Sequence, residues 1–209
     1  MSDYKVVNNG KTLKNASKAI IVLHGRGGTA EDIISLTYEF SDDTYFVAAL
    51  QAPDNTWYPY NFMQPEDKNE PKLSQSLKAV KDLIDTISLH ISTDKIYIMG
   101  FSQGACMALE TTTRYATKYA GVVAFTGGLI GHEINRSKYH GDFQGTKVFI
   151  GNSDVDPHVP VSRCEESRKV MESLGADVTL KIYPNMPHTI IEDEITWVKE
   201  HIFSQKGVV

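Results

Sequence analysis

Cysteine is scarce in this 209-residue chain: Cys106 and Cys164 are the only two, and no C-x-x-C pair occurs. A disulfide framework and a cysteine-rich metal site are therefore both excluded as expectations. Positive charge is also in short supply. Lys plus Arg total 21 against 26 Asp plus Glu, giving a net charge of −5 at pH 7. A nucleic-acid partner is not expected, because phosphate-backbone binding needs clustered cations. Long apolar runs are missing too. Nothing approaches the ~18–20 residues that cross a bilayer, and the run from Ala19 to Leu23 is only strand-sized, so no membrane insertion is expected. The leading decapeptide, Met1 to Gly10, has neither the charged head nor the apolar stretch of a secretory signal. No internal repeat, low-complexity tract or Gly/Ser linker divides the chain. The expectation is one cytoplasmic, cofactor-free domain over residues 1–209. A domain of that size buries roughly 70% of the surface its unfolded chain exposes.

What is present is an alternation of short apolar runs with amphipathic stretches. The runs at 18–24, 45–51, 95–100, 121–125, 147–150 and 178–183 read as strands. Several are apolar at consecutive positions, which suits strands buried on both faces of a parallel sheet. Between them, residues 72–91 place Leu73, Leu77, Val80, Ile84, Ile87 and Ile91 three or four apart, the spacing of one helix face. Segments 30–40, 103–119, 161–174 and 192–203 also read as helices, with Gly175 as a stop signal after the fourth. The βαβα rhythm predicts an α/β fold: a mostly parallel sheet with helices on both faces and functional loops at the carboxyl ends of the strands. Segment 55–71 breaks the rhythm, with three prolines and four aromatics and no clear period. A loop of that length in a compact domain is usually functional or mobile, and its aromatic half follows a strand.

The strongest chemical signal is Gly100-Phe101-Ser102-Gln103-Gly104, placed between an apolar strand and a helical pattern. A G-x-S-x-G turn in that context exposes the serine hydroxyl, and its glycines let the backbone turn sharply. Helix initiation aims the Gln103 amide at an oxygen anion forming beside Ser102. A serine hydroxyl needs a base. Of the seven histidines, His188 follows the last strand, late in the chain, where nucleophile–acid–histidine order puts the base. The acid belongs in the segment after residue 150, where Asp154 and Asp156 compete and position does not separate them. Asp-Val-Asp-Pro-His also sets carboxylates near an imidazole. No second ligand cluster accompanies it, so no metal is expected. His24-Gly25-Arg26-Gly27-Gly28 follows the first strong strand without the Lys-Ser/Thr of a phosphate loop, and better suits a second oxyanion donor, the Arg26 amide. The Arg26 side chain reads equally as a solvated charge or a contact for an anionic leaving group. Trp57, Tyr58 and Phe62 are the expected substrate-binding surface.

In this order the motifs at residues 24–28, 100–104, 156–160 and His188 resemble the phospholipase/carboxylesterase family of small α/β-hydrolases, which includes acyl-protein thioesterases and bacterial esterases. The resemblance spans about residues 18–203, and the Trp57-Tyr58 segment is closer to the bacterial esterase branch. It implies an α/β-hydrolase fold without a separate lid domain. It also implies a Ser102–His188–Asp156 triad, the family's D-P-x-V-P pattern selecting Asp156 over Asp154, and oxyanion donation by the amides of Arg26 and Gln103. The implied activity is hydrolysis of small to medium acyl esters through an acyl-serine. Thioester or lysophospholipid cleavage is the alternative, and a non-catalytic binding protein on the same fold is the different class. No cofactor is implied; the partner is a small-molecule ester, and some relatives form homodimers.

Overall fold

The computed structural model describes residues 4–204; Met1 to Asp3 of the leading decapeptide and residues 205–209 lie outside the described residues. In chain order the elements are β1 (Lys5–Gly10), β2 (Lys18–Leu23), α1 (Ala30–Ile33), β3 (Tyr45–Gln51), α2 (Glu66–Asn69), α3 (Lys72–Ser88), β4 (Ile96–Phe101), α4 (Gln103–Arg114), β5 (Tyr115–Ala116), β6 (Gly121–Phe125), β7 (His140–Gly141), β8 (Lys147–Ser153), α5 (Val161–Ser173), β9 (Asp177–Tyr183) and α6 (Glu192–Val198). Seven strands form one sheet in the order β1-β3-β2-β4-β6-β8-β9. Only β1 runs antiparallel to its neighbour. The short β5 and β7 pair separately.

Consecutive apolar residues in the strands follow from covering both faces. Side chains alternate across a strand. In β2, Ala19, Ile21 and Leu23 join the core formed with Leu73, Leu77, Val80 and Ile84 of α3 and Ala105 and Leu109 of α4. Ile20 and Val22 join the opposite core, with Ala30, Ile34, Val198, Ile202 and Phe203. The strands β4, β6 and β8 divide their residues the same way. The far side of α3 is solvated, and Lys78–Asp82 and Lys81–Asp85 pair along it. This mostly parallel sheet with helices on both faces is an α/β-hydrolase fold.

Several elements differ from the sequence pattern: the helix expected over 72–91 ends at Ser88, and the strand expected over 147–150 runs on to Ser153. Strand β1 escaped that pattern because its sequence, Lys-Val-Val-Asn-Asn-Gly, buries almost nothing; it is an edge strand held by pairing with β3, from Lys5 opposite Gln51 to Gly10 opposite Phe46. The expected helix over 30–40 is α-helical only through Ile33 and tightens to a 3₁₀ turn over Ile34–Glu39. Helix α4 stops at Arg114 instead of reaching residue 119, because Tyr115 and Ala116 leave it to pair with β7. The last helix widens to a π turn over Lys199–Phe203. Gly175 stands at φ +81°, the left-handed conformation that ends α5. Ser102, Asp156 and His188 follow the carboxyl ends of β4, β8 and β9, so the parallel sheet delivers all three to one edge.

Candidate active site

The turn from β4 to α4 is strained where chemistry is expected. Ser102 sits at φ +54°, ψ −118°, outside the regions a side chain normally tolerates. Its neighbours make the turn possible. A Cβ at Gly104 would overlap the Leu23 carbonyl, and one at Gly100 would overlap the Gly104 backbone, so only glycine lets α4 start this close to β2 and β4.

The Ser102 hydroxyl lies 2.9 Å from His188 Nε2, and His188 Nδ1 lies 2.7 Å from Asp156 Oδ2. The Asp156 side chain is wholly buried, and its Oδ1 accepts from the amides of His158 at 2.9 Å and Val159 at 2.8 Å. Burial by itself would raise this carboxyl; the bonds from His188 and the two amides outweigh it and hold Asp156 below the ordinary carboxylate range. An ionised Asp156 accepts a hydrogen bond from Nδ1–H and so keeps the proton on that nitrogen, leaving Nε2 to accept from the serine. The geometry also separates the two aspartates. Asp154 is exposed and accepts from the Asn185 amide at 2.7 Å, which fastens the loop carrying His188.

His24 has a different task. Its Nδ1 donates to the Gly25 carbonyl at 2.7 Å while Nε2 accepts from the Ala52 amide at 3.1 Å, a pattern only the neutral ring satisfies. Burial lowers its pKa, which agrees. It ties the β2 loop to the end of β3.

A cleft of about 300 Å³ opens on Ser102 and His188. Tyr58, Phe62, Cys106 and Val159 form its apolar wall, and Arg26, Tyr60, Asn61, Gln103 and His158 its polar parts. Tyr58 and Phe62 thus line the cleft. Trp57 does not: its indole is fully buried, donates to the His24 carbonyl at 2.8 Å and packs 5.0 Å from the His24 ring. It is a support beneath the loop. A large aromatic in an irregular loop reads the same in sequence whether it faces in or out. Burial pushes the Cys106 thiol up to about 11, so the cleft holds no competing thiolate nucleophile.

The side chains of Arg26 and Gln103 do something the sequence concealed. Arg26 Nη1 donates to Thr56 Oγ1 at 3.1 Å and to the Pro59 carbonyl at 2.9 Å, and Nη2 to the Tyr60 carbonyl at 2.8 Å. Gln103 Oε1 accepts from the Trp57 amide at 3.0 Å while Nε2 donates to the Tyr58 carbonyl at 2.8 Å. Ser76 binds the Trp57 carbonyl at 2.6 Å, and the Gly27 amide that of Asn55 at 2.7 Å. The aromatic half of the 55–71 loop is therefore a fixed wall. Two further residues went unread. His158 meets the His188 ring edge-on at 4.9 Å between centroids. Buried Arg163 donates to the carbonyls of Leu129, Gly131 and His132 and lies 6.0 Å from the Phe62 ring centroid. In sequence His158 enters only as a metal-ligand candidate, and Arg163 sits in no local pattern that marks it. Among the described residues no group of three His, Cys, Asp or Glu side chains is placed to hold a metal ion, and no helix is long and apolar enough to cross a membrane.

Comparison with known proteins agrees with this fold. The family model described as Phospholipase/Carboxylesterase matches residues 3–205. A phospholipase/carboxylesterase from Dyadobacter fermentans DSM 18053 is 47% identical, with a TM-score of 0.94 over 96% of each chain. A Bacillus cereus carboxylesterase is 20% identical with a TM-score of 0.74, covering 95% of this chain and 92% of its own, a likeness of fold. Acyl-protein thioesterase 1 of Saccharomyces cerevisiae is 30% identical over 141 residues, 66% of this chain and 61% of its own length. That of Debaryomyces hansenii is 32% identical over 145 residues, 66% of this chain and 62% of its own. The chain thus spans about three fifths of the length of these curated relatives. With one family model running across almost all of it, the chain belongs to the phospholipase/carboxylesterase family.

Proposed function

We propose that the protein is a serine carboxylesterase acting on small to medium acyl esters through an acyl-enzyme intermediate. The observation that carries this reading is the continuous relay from Ser102 through His188 to Asp156, set at a strained strand–helix turn beside a cleft. Ser102 attacks the ester carbonyl as His188 Nε2 takes its proton. The oxyanion rests on the amides of Arg26 and Gln103; the latter opens α4 and has no partner within the helix. His188 then protonates the departing alcohol. It next activates a water that releases the acid from Ser102, while Asp156 holds the imidazole tautomer throughout. The reading takes residues 1–209 as one α/β-hydrolase domain working in the cytoplasm. A cleft of about 300 Å³ is at the small end for ligand sites, which supports short acyl groups.

The test is hydrolysis of p-nitrophenyl esters from acetate to palmitate by wild type and Ser102→Ala. The short esters should be turned over fastest, and the substitution should lower kcat by about 10⁴ or more. A substitution that leaves the rate intact, with no fluorophosphonate labelling of the wild type, refutes the assignment. A rate climbing steeply toward palmitate refutes the size preference. Thioester hydrolysis is the second reading, favoured by the relatives named acyl-protein thioesterase 1. Matched S-butyryl and O-butyryl substrates distinguish the two.

A further inference from the structure

The Arg26 guanidinium carries five N–H donors, and the protein uses three of them. Both Nη1 hydrogens go to Thr56 and Pro59, and one Nη2 hydrogen goes to Tyr60. That leaves Nε–H and the second Nη2–H, with no acceptor among the described residues. With Nη1 and one side of Nη2 bonded to successive carbonyls, the unused pair lies on the other edge of the plane, the fork that grips a carboxylate with two parallel bonds.

The charge meets no anion, only the face of the Tyr58 ring, 5.9 Å from its centroid. All three acceptors of Arg26 are neutral, and no carboxylate pairs with it among the described residues. Although the chain carries 26 acidic residues, none lines the cleft. Asp156 stands behind His188 with both oxygens occupied. A guanidinium fixed by neutral acceptors on a carboxylate-free wall sets a positive potential where substrate enters. From this geometry we infer that the cleft selects esters bearing a second, anionic carboxylate, which the free edge of Arg26 receives. This names the substrate class of the site and rests on the hydrolase reading above.

The experiment compares matched esters by pH-stat titration near neutral pH. Monomethyl succinate against methyl butyrate places the carboxylate on the acyl half; 4-acetoxybenzoate against its methyl ester places it on the alcohol half. In at least one pair the charged member should be favoured by about tenfold in kcat/KM, mostly through KM, the size expected of a charge-assisted fork at a solvent-open rim. The advantage should shrink toward parity at roughly 1 M salt and in Arg26→Gln. The salt series needs no variant, so it stands even if that substitution disturbs the loop. Ser102-dependent turnover of the neutral esters with no gain for either charged partner overturns the inference. So does an Arg26→Gln variant that slows charged and neutral esters by the same factor, since Arg26 would then act only as a fastening for the loop. If no ester is turned over and Ser102 resists a fluorophosphonate, the hydrolase reading falls, and this inference with it.

Discussion

Glu194 offers a quantitative check on the packing beneath the site. It stands in the first turn of α6, just after the loop that carries His188, and is fully buried. Oε2 accepts from the Ile191 amide at 3.1 Å, while Oε1 has no hydrogen-bond partner among the described residues. Burial pushes its carboxyl up to about 7; the Ile191 amide opposes the shift, and neighbouring Asp193 adds to it. The reference value is 4.5, so the folded protein holds this proton more tightly than the unfolded chain does. Stability from this group is complete below about pH 4.5, falls as pH rises, and is lost above about pH 7. Holding the carboxyl near 7 instead of 4.5 corresponds to roughly 3 kcal/mol, of which about 2.5 kcal/mol disappears between pH 5 and pH 8. Glu194→Gln, close in shape to the neutral acid, should remove that step. Measured by thermal unfolding, wild type should lose about 5–10 °C more than the variant over this interval. His24 titrates nearby with the opposite sign: its lowered pKa makes it gain stability as pH rises. The wild-type-minus-variant difference cancels it. Equal pH slopes for the two proteins would refute the reasoning.

Two further substitutions probe strain and charge. Ser102→Gly should abolish turnover while raising unfolding stability by about 1 kcal/mol, since glycine tolerates φ +54°; a variant less stable than wild type in urea would deny that the turn is strained. Glu110 is fully buried, accepts from Arg114 Nε at 2.7 Å and the Ile130 amide at 2.9 Å, and lies 3.6 Å from Lys138. Glu110→Gln leaves Arg114 and Lys138 with Glu66 as their one remaining anion and should cost about 3 kcal/mol in urea denaturation; a loss below about 1 kcal/mol would show the network to be dispensable.

The sheet was legible in the sequence because strands covered on both faces are apolar at every position, as in Ala19–Leu23. Strand β1 was not, because backbone pairing at an edge asks little of side chains. The serine turn was legible for a related reason: two backbone approaches forbid a Cβ at positions 100 and 104, and glycine records that constraint locally. Asp154 and Asp156 are indistinguishable by position, since only the fold decides which one meets His188 and which caps the Asn185 turn. Trp57 and Arg26 fall in the same class. One turned inward and the other found three acceptors about thirty residues away, and neither partner leaves a trace in local spacing.

The cleft wall is gripped by its carbonyls. Those of Asn55, Trp57, Tyr58, Pro59 and Tyr60 are each held from outside the loop, by Gly27, Ser76, Gln103 and Arg26. Anchorage of that kind is indifferent to which side chains the wall displays. Position 60, whose side chain is exposed, is thereby a changeable facing on a fixed frame, free to be resurfaced for a new substrate while the frame keeps its registration with Ser102.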